Sequence, residues 1–331
     1  MVENRRKRVA ISVGDLNGIG IELILRNHQR IKRIVEPIYC IGDNMLKQAV
    51  SMLDISPPEF FHNVDVDADD FEILPSAIYE HSGLYSFASF YKAIELAVAG
   101  EVDAICTLPI NKKAWELGGI EYKGHTDMLR DVFSDNIEGD IIMMLGCDKL
   151  NVGLYTEHIP LNLVPRTIRE DRVFNFLMTF QKETEADKIG VLGLNPHAGD
   201  DGVLGTEDRI IARAIDRANS VLGSRVFFGP LVPDIAFTPI MRKEFKYYVA
   251  MYHDQGLTPL KALYFHETIN ISLNLPIIRT SVGHGTAFDI AYKKMNPDPT
   301  SYLNAIEYIA TKNAPPSPFT LEDSEESITF E

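Results

Sequence analysis

Met251-Tyr-His-Asp-Gln-Gly-Leu-Thr-Pro-Leu-Lys261, then Asn270, then Leu275-Pro-Ile-Ile-Arg-Thr-Ser-Val-Gly-His-Gly-Thr286, is the part of this chain richest in groups that could do chemistry. It carries a candidate metal ligand in His253, two cations in Lys261 and Arg279, several small hydrogen-bonding side chains, and a glycine-bracketed histidine, His284. A packed core has no use for such density, because each polar group must find a partner or face water. A site that holds a small anion beside a metal uses all of them.

Three more histidines stand in loop-like, polar settings: His125 in Gly124-His-Thr126, His158 in Glu157-His-Ile-Pro160 and His197 in Asn195-Pro-His-Ala-Gly199. Each alone reads as a surface or structural histidine. Together, strand-end histidines flanked by Pro, Gly or Asp suit a three-histidine catalytic metal site with an open position for a substrate hydroxyl. They lie far apart in sequence, so spacing leaves their convergence open. Lys261, Asn270 and Arg279 follow one another at about nine-residue intervals, which solvated loop charges could also do. Arg279, however, sits between Pro276-Ile-Ile278 and Thr280-Ser281 and needs an anionic partner or ligand. His284-Gly-Thr-Ala-Phe-Asp289 precedes a helix-like run ending near Lys294; such a turn could offer N–H groups to an anion or an adenosine group, or simply cap the helix. Gly14-Asp-Leu-Asn-Gly18-Ile-Gly20 invites a dinucleotide reading, but its spacing departs from Gly-x-Gly-x-x-Gly. A tight turn joining strand to helix explains its glycines equally well.

The elements that must position these residues alternate. Arg8–Val13, Ile38–Ile41, Ala104–Leu108, Ile141–Leu145 and Lys188–Leu194 read as short buried strands. Helical patterns lie at Ile19–Asn27, Asp43–Leu53 and Leu84–Ala99. That alternation predicts an α/β fold with a largely parallel sheet covered on both faces. With 331 residues, 45% of them hydrophobic and 24% charged, the chain suits one large α/β unit or two lobes of an ordinary globular protein. Its net charge of −15 argues against nucleic acid as a partner, so an anionic substrate must be caught by a local cationic cluster. Cys40, Cys106 and Cys147 lack metal-type spacing and predict buried free thiols in a reduced, cytoplasmic setting. No run suggests a membrane span or signal peptide, and the Pro-broken acidic stretch after Pro315 reads as a solvated tail.

Six motifs in order resemble the 4-hydroxythreonine-4-phosphate dehydrogenase family of vitamin B6 biosynthesis across nearly the whole chain. They are Gly14-x-x-x-Gly-Ile-Gly20, Lys123-Gly-His-Thr126, Glu157-His-Ile-Pro-Leu161, Leu194-Asn-Pro-His-Ala-Gly199, Met251-Tyr-His-Asp-Gln-Gly256 and Leu275-Pro-Ile-Ile-Arg-Thr-Ser281. The resemblance implies a two-lobed α/β/α fold like that of isocitrate and isopropylmalate dehydrogenases, with the active site in the interdomain cleft near the interface of a homodimer. It divides the chain into 1–122 plus 275–331, bearing the cofactor turn, and 123–274, bearing metal and substrate residues. It implies one divalent metal (Zn, Mg or Co) on His158 and His197 of one subunit and His253 of the other. Substrate contacts would fall on His125, Thr126, Lys261, Asn270 and Arg279, with Lys261 also the candidate for acid–base help. NAD or NADP would lie on His284, Gly285, Thr286, Ala287 and Asp289. The reaction implied is oxidation of 4-phosphooxy-L-threonine, followed by decarboxylation. Rival readings are a dehydrogenase of 4-phospho-D-threonate or D-erythronate type, a phosphate acyltransferase, and a non-catalytic metal-dependent binding protein. Three positions depart from the pattern: Leu16 for proline, Gly283 for the aspartate before His-Gly-Thr-Ala, and Phe288 for the superfamily's proline.

Overall fold

The computed structural model describes residues 5–312, so the acidic stretch after Pro315 lies outside the described residues. Two compact units emerge, 5–137 together with 275–312, and Glu138–Asn274.

The first unit opens with β1 (Arg8–Ser12), α1 (Gly20–Ile34), β2 (Glu36–Cys40), α2 (Asp43–Leu53), β3 (Asn63–Val64), α3 (Glu80–Val98) and β4 (Ala104–Thr107). Two short helices follow, α4 (Lys112–Leu117) and α5 (His125–Val132). Val9, Ala10, Ile11 and Ser12 are all fully buried. Successive strand residues point to opposite faces, so both faces of this strand are covered, which is what its unbroken apolar run requires. α1 carries Glu22 in its first turn and Lys32 and Arg33 in its last, each complementing the helix dipole. α4 starts where Asn111 Oδ1 accepts from the N–H groups of Lys113 and Ala114, both at 3.0 Å. α4 lies directly on α3, since a Cβ on Gly83 would stand 2.1 Å from the Ala114 carbonyl oxygen.

The second unit runs β5 (Ile142–Gly146), β6 (Asn151–Leu154), α6 (Val164–Thr167), α7 (Glu170–Thr184), β7 (Ile189–Leu192), α8 (Glu207–Leu222) and β8 (Phe227–Leu231). It continues with α9 (Pro233–Ala236), α10 (Met241–Glu244), β9 (Tyr247–Ala250), α11 (His253–Tyr264) and β10 (Ile269–Leu273). The chain then returns to the first unit for β11 (Ile278–Val282) and α12 (Thr300–Thr311).

In the first unit the strand order is β3-β2-β1-β4-β11, and every pairing is parallel. In the second the order is β10-β5-β6-β9-β7-β8; β6, β9, β7 and β8 run parallel, while β5 is antiparallel to both β6 and β10. The expected largely parallel sheet therefore holds for the first unit and gives way to a mixed sheet in the second. The cause is local: Cys147 N–H closes a tight turn on the Leu150 carbonyl at 2.9 Å, and so short a connection joins only antiparallel strands. The first junction falls after α5, beyond the 122/123 boundary set from sequence, because His125 packs edge-on against Phe90 and Trp115 of the first unit. All three cysteines are free and buried. No helix among the described residues is long and apolar enough to cross a membrane.

Candidate functional site

In the first unit, β4 and β11 lie side by side with Arg279 opposite Ile105 and Ser281 opposite Thr107. That register lets Arg279 Nη2 donate to Thr107 Oγ1 at 2.7 Å, and Ser281 Oγ donate to the Thr107 carbonyl at 3.1 Å. Arg279 is only 1% exposed, and this burial brings its pKa down to about 10, which leaves it cationic at neutral pH. His125 opens α5 after Gly124, whose φ of +146° suits only glycine. Its ring stands edge-on to Phe90 at 4.5 Å between centroids, and Nε2 is buried without a hydrogen-bond partner. Desolvation first, then the positive charges of Arg279 and Lys112, hold its pKa well below the usual histidine value. A neutral imidazole near the charges of Arg279 and Lys112, with no carboxylate paired to Lys112 among the described residues, is an arrangement that suits an anion. Thr126 follows on the first turn of α5.

Lys112 and Thr107 went unnoticed in the sequence. The available signal was position: Thr107 ends a buried strand, and Asn111-Lys112 opens the next helix.

In the second unit, His253 begins α11, and its Nδ1 hydrogen-bonds Asp254 Oδ1 at 2.7 Å, so Nε2 is the ring nitrogen that a metal could take. The His158 ring lies 5.2 Å from that of His253, tilted by 44°. His197 lines a pocket of about 320 Å³ with Asn195 and Asp234, and with Tyr252 and Gln255, which flank His253 in sequence. Among the described residues no three His, Cys, Asp or Glu side chains converge as a metal site. Within one chain the rings of His158 and His253 are neighbours; the resemblance implies a metal on His158 and His197 of one subunit and His253 of the other. Two exposed or half-buried imidazoles, one backed by a carboxylate, fit a divalent cation that accepts nitrogen ligands.

His197 sits on an unusual backbone. His197, Ala198, Gly199, Asp200 and Asp201 all have positive φ, between 44° and 82°. Four of them are not glycine, and each such residue is strained. The carboxylate of Asp208, 4% exposed at the start of α8, holds the approach to this turn. It accepts from Leu194 N at 2.7 Å, Asn195 N at 3.2 Å and Asn195 Nδ2 at 2.8 Å.

Lys261 is half-buried on α11, two turns beyond His253. Asn270 lies on β10, where its Oδ1 is buried without a hydrogen-bond partner.

The segment after His284 corrects an expectation. No helix follows it; residues 288–294 form successive turns, with Ile290 N on the Ala287 carbonyl at 3.1 Å and Lys293 N on the Ile290 carbonyl at 3.2 Å. Ala287, Tyr292 and Lys294 have φ of 45°, 59° and 57°, and no α-helix passes through left-handed residues. A helix N-terminus is therefore not what would bind an anion here. What remains to face a cofactor is Gly285, exposed, with nothing near the Cβ it lacks, and His284 Nε2, buried without a partner. Gly283 gives its N–H to Ser301 Oγ at 2.8 Å. In the glycine turn, the N–H groups of Asp15, Asn17, Gly18 and Ile19 are all taken by protein acceptors, so these four cannot cradle a phosphate.

Known proteins are similar to this chain over most of its length. The family model for pyridoxal phosphate biosynthetic protein PdxA matches residues 33–309. The 4-hydroxythreonine-4-phosphate dehydrogenase of Sulfurimonas denitrificans is 52% identical over 91% of this chain and 96% of that protein. The enzyme of the same name from Helicobacter pylori strain J99 is 48% identical over 92% of this chain and 99% of its own length. The crystal structure of a 4-hydroxythreonine-4-phosphate dehydrogenase from Klebsiella pneumoniae superposes with a TM-score of 0.77 at 30% identity, covering 93% of this chain and 99% of that one.

Proposed function

The chain belongs to the PdxA family of pyridoxal phosphate biosynthetic proteins, and on that premise we propose that it is a 4-hydroxythreonine-4-phosphate dehydrogenase. It oxidises the C3 hydroxyl of 4-phosphooxy-L-threonine: a hydride passes from C3 to the nicotinamide ring of NAD or NADP, and the hydroxyl proton passes to a base. The product, 2-amino-3-oxo-4-phosphooxybutanoate, is a β-keto acid and loses carbon dioxide to give 3-amino-2-oxopropyl phosphate. The observation that carries this reading is the extent of the likeness, about half of all positions over 91% of the chain, to a protein of that name.

Each residue has a role that its chemistry suits. Arg279, cationic and pre-oriented by Thr107, offers a planar fork to an anionic end of the substrate. His125 stays neutral there and adds a hydrogen bond without adding charge, and Thr126 adds a hydroxyl. Lys261 and Asn270 take further substrate contacts, and Lys261 is the candidate to receive the hydroxyl proton. His158, His197 and His253 are the proposed ligands of one divalent metal (Zn, Mg or Co), which supplies Lewis-acid polarisation of the reacting hydroxyl when bound. His284, Gly285, Thr286, Ala287 and Asp289 form the proposed cofactor turn. The working form is a homodimer in which both copies contribute to each site.

The test is steady-state reduction of NAD and of NADP by purified protein with 4-phosphooxy-L-threonine, 4-phospho-D-threonate and 4-phospho-D-erythronate. The highest kcat/KM is expected on the amino acid. A higher value on either hydroxy acid would move the assignment to that substrate.

A further inference from the structure

The cofactor turn has no helix or strand of its own, so something else must fix its shape. In the first unit that support is the Gly14–Gly20 turn. Gly14 has φ +70°, and its missing Cβ would stand 2.3 Å from the Pro109 carbonyl oxygen. Asp15 N–H reaches that same carbonyl at 2.9 Å, so the turn is anchored at the end of β4. From there it makes two sets of contacts.

The first is direct. Ile19 N–H donates to the Thr286 carbonyl at 3.1 Å, and a Cβ on Gly18 would lie 2.8 Å from that oxygen. Only glycine allows the approach. Tyr292 Oη, at the far end of the segment, donates to the Leu16 carbonyl at 2.8 Å. The second is relayed through Asn17. Its Oδ1 accepts from Leu74 N–H at 2.8 Å, its Nδ2 donates to the Ala77 carbonyl at 2.9 Å, and its carbonyl accepts from Ser76 N–H at 2.9 Å. Ser76 Oγ then donates to the Phe288 carbonyl. Thr286, Phe288 and Tyr292 are thus held at successive points from one template.

We infer that Asn17 and Tyr292 are positioning residues for nucleotide binding, and that the glycine turn acts as the mould for residues 284–289 without touching the nucleotide itself. Neither side chain need contact the cofactor; each fixes the backbone that does. The inference rests on the reading of 284–289 as the cofactor turn.

Binding of NADH and NADPH, measured by fluorescence titration without substrate, tests it in Tyr292→Phe, Asn17→Ala and Asn17→Asp. Each lost hydrogen bond should raise Kd by about 5- to 30-fold. Asn17→Asp keeps the acceptor for Leu74 N–H but sets a carboxylate oxygen against the Ala77 carbonyl in a buried place, so it should weaken nucleotide binding at least as much as Asn17→Ala. The expected kinetic signature is a raised cofactor KM, with kcat at saturating cofactor and KM for the phosphorylated substrate held near parent values. His284→Ala and Asp289→Ala serve as controls. If these two weaken nucleotide binding while Tyr292→Phe and Asn17→Ala bind it like the parent, the positioning role is overturned. If the two controls bind nucleotide normally, the cofactor-turn reading has failed and the inference falls with it. Tyr292→Phe removes a single hydroxyl, so its result stands even if Asn17→Ala does not fold.

Discussion

Asp15 keeps its carboxyl where water does not reach. It is fully buried, Oδ1 accepts from Asn17 N–H at 2.9 Å, and desolvation pushes its pKa from 3.8 up to about 6. Below pH 3.8 the carboxyl is neutral in folded and unfolded chains alike, and burial carries no charge penalty. As pH rises through about 6 the folded state must hold a charge that the unfolded chain leaves in water, and stability is lost. A rise of that size corresponds to about 3 kcal/mol at most. Asp15→Asn should therefore raise Tm at pH 8, with the advantage shrinking toward pH 4; an equal effect at both pH values would show that the charge is not the cause. Arg279 gives a prediction about binding. Loss of a charge-assisted contact to a desolvated anion costs about 1.5–3 kcal/mol, roughly 10- to 150-fold in affinity. Arg279→Ala should weaken substrate binding by that factor in calorimetry while NAD(P)H binding is kept, and Arg279→Lys should restore only part. Normal substrate binding by Arg279→Ala would remove this residue from the site. Arg279 was legible in sequence because a charge inside an apolar run demands a partner. Lys112 and Thr107 were not, since their meaning comes from the register of β4 on β11 and the packing of α4 on α3.

At the scale of elements, the strands and long helices were readable because each carries an unbroken apolar run or a helical stripe; α2 falls on the expected Asp43–Leu53. Two features escaped. The turns after His284 look helical in composition, but left-handed φ at Ala287, Tyr292 and Lys294 is set by contacts with distant segments. The left-handed run at His197–Asp201 was likewise invisible, because Gly199, Asp200 and Asp201 favour positive φ only one residue at a time and Ala198 not at all, so nothing local marks five in succession. Asp208 offsets that strain by accepting three hydrogen bonds just before the run. Asp208→Asn puts an amide NH2 where an acceptor is needed, at a cost of about 1–3 kcal/mol. A lower Tm together with weaker zinc binding by calorimetry is expected; a lower Tm with unchanged zinc affinity would separate the turn from the metal. Gly256 on α11 sets a second constraint, because a Cβ there would lie 2.6 Å from Val152 Cγ1 and 2.9 Å from the Ala250 Cβ. Gly256→Ala should lift α11 off β6 and β9, destabilise the protein by about 1–3 kcal/mol, and weaken metal binding through His253, which starts the same helix.

For the whole molecule, the proposed dimer predicts which mutant pairs complement one another. If sites are shared between copies, mixing inactive His158→Ala with inactive His197→Ala protein after subunit exchange should restore activity whenever those two ligands come from different copies. The His158→Ala and His253→Ala pair should recover activity if His253 comes from the other copy; no recovery despite subunit exchange would place these two ligands, neighbours within one chain, in one site of the same copy. The first unit also has a history built into its connectivity. β4 takes its second neighbour from β11, and α12 packs on β11 and α1, yet both arrive only after all of Glu138–Asn274 has been made. At about 5–20 residues per second, a nascent chain carries the bare edge of Ala-Ile-Cys-Thr for on the order of ten seconds. A ribosome-bound intermediate of this length is a natural client for chaperones that shield strand edges. A circular permutant whose gene starts at Leu275 would deliver β11 and α12 first and abolish the wait.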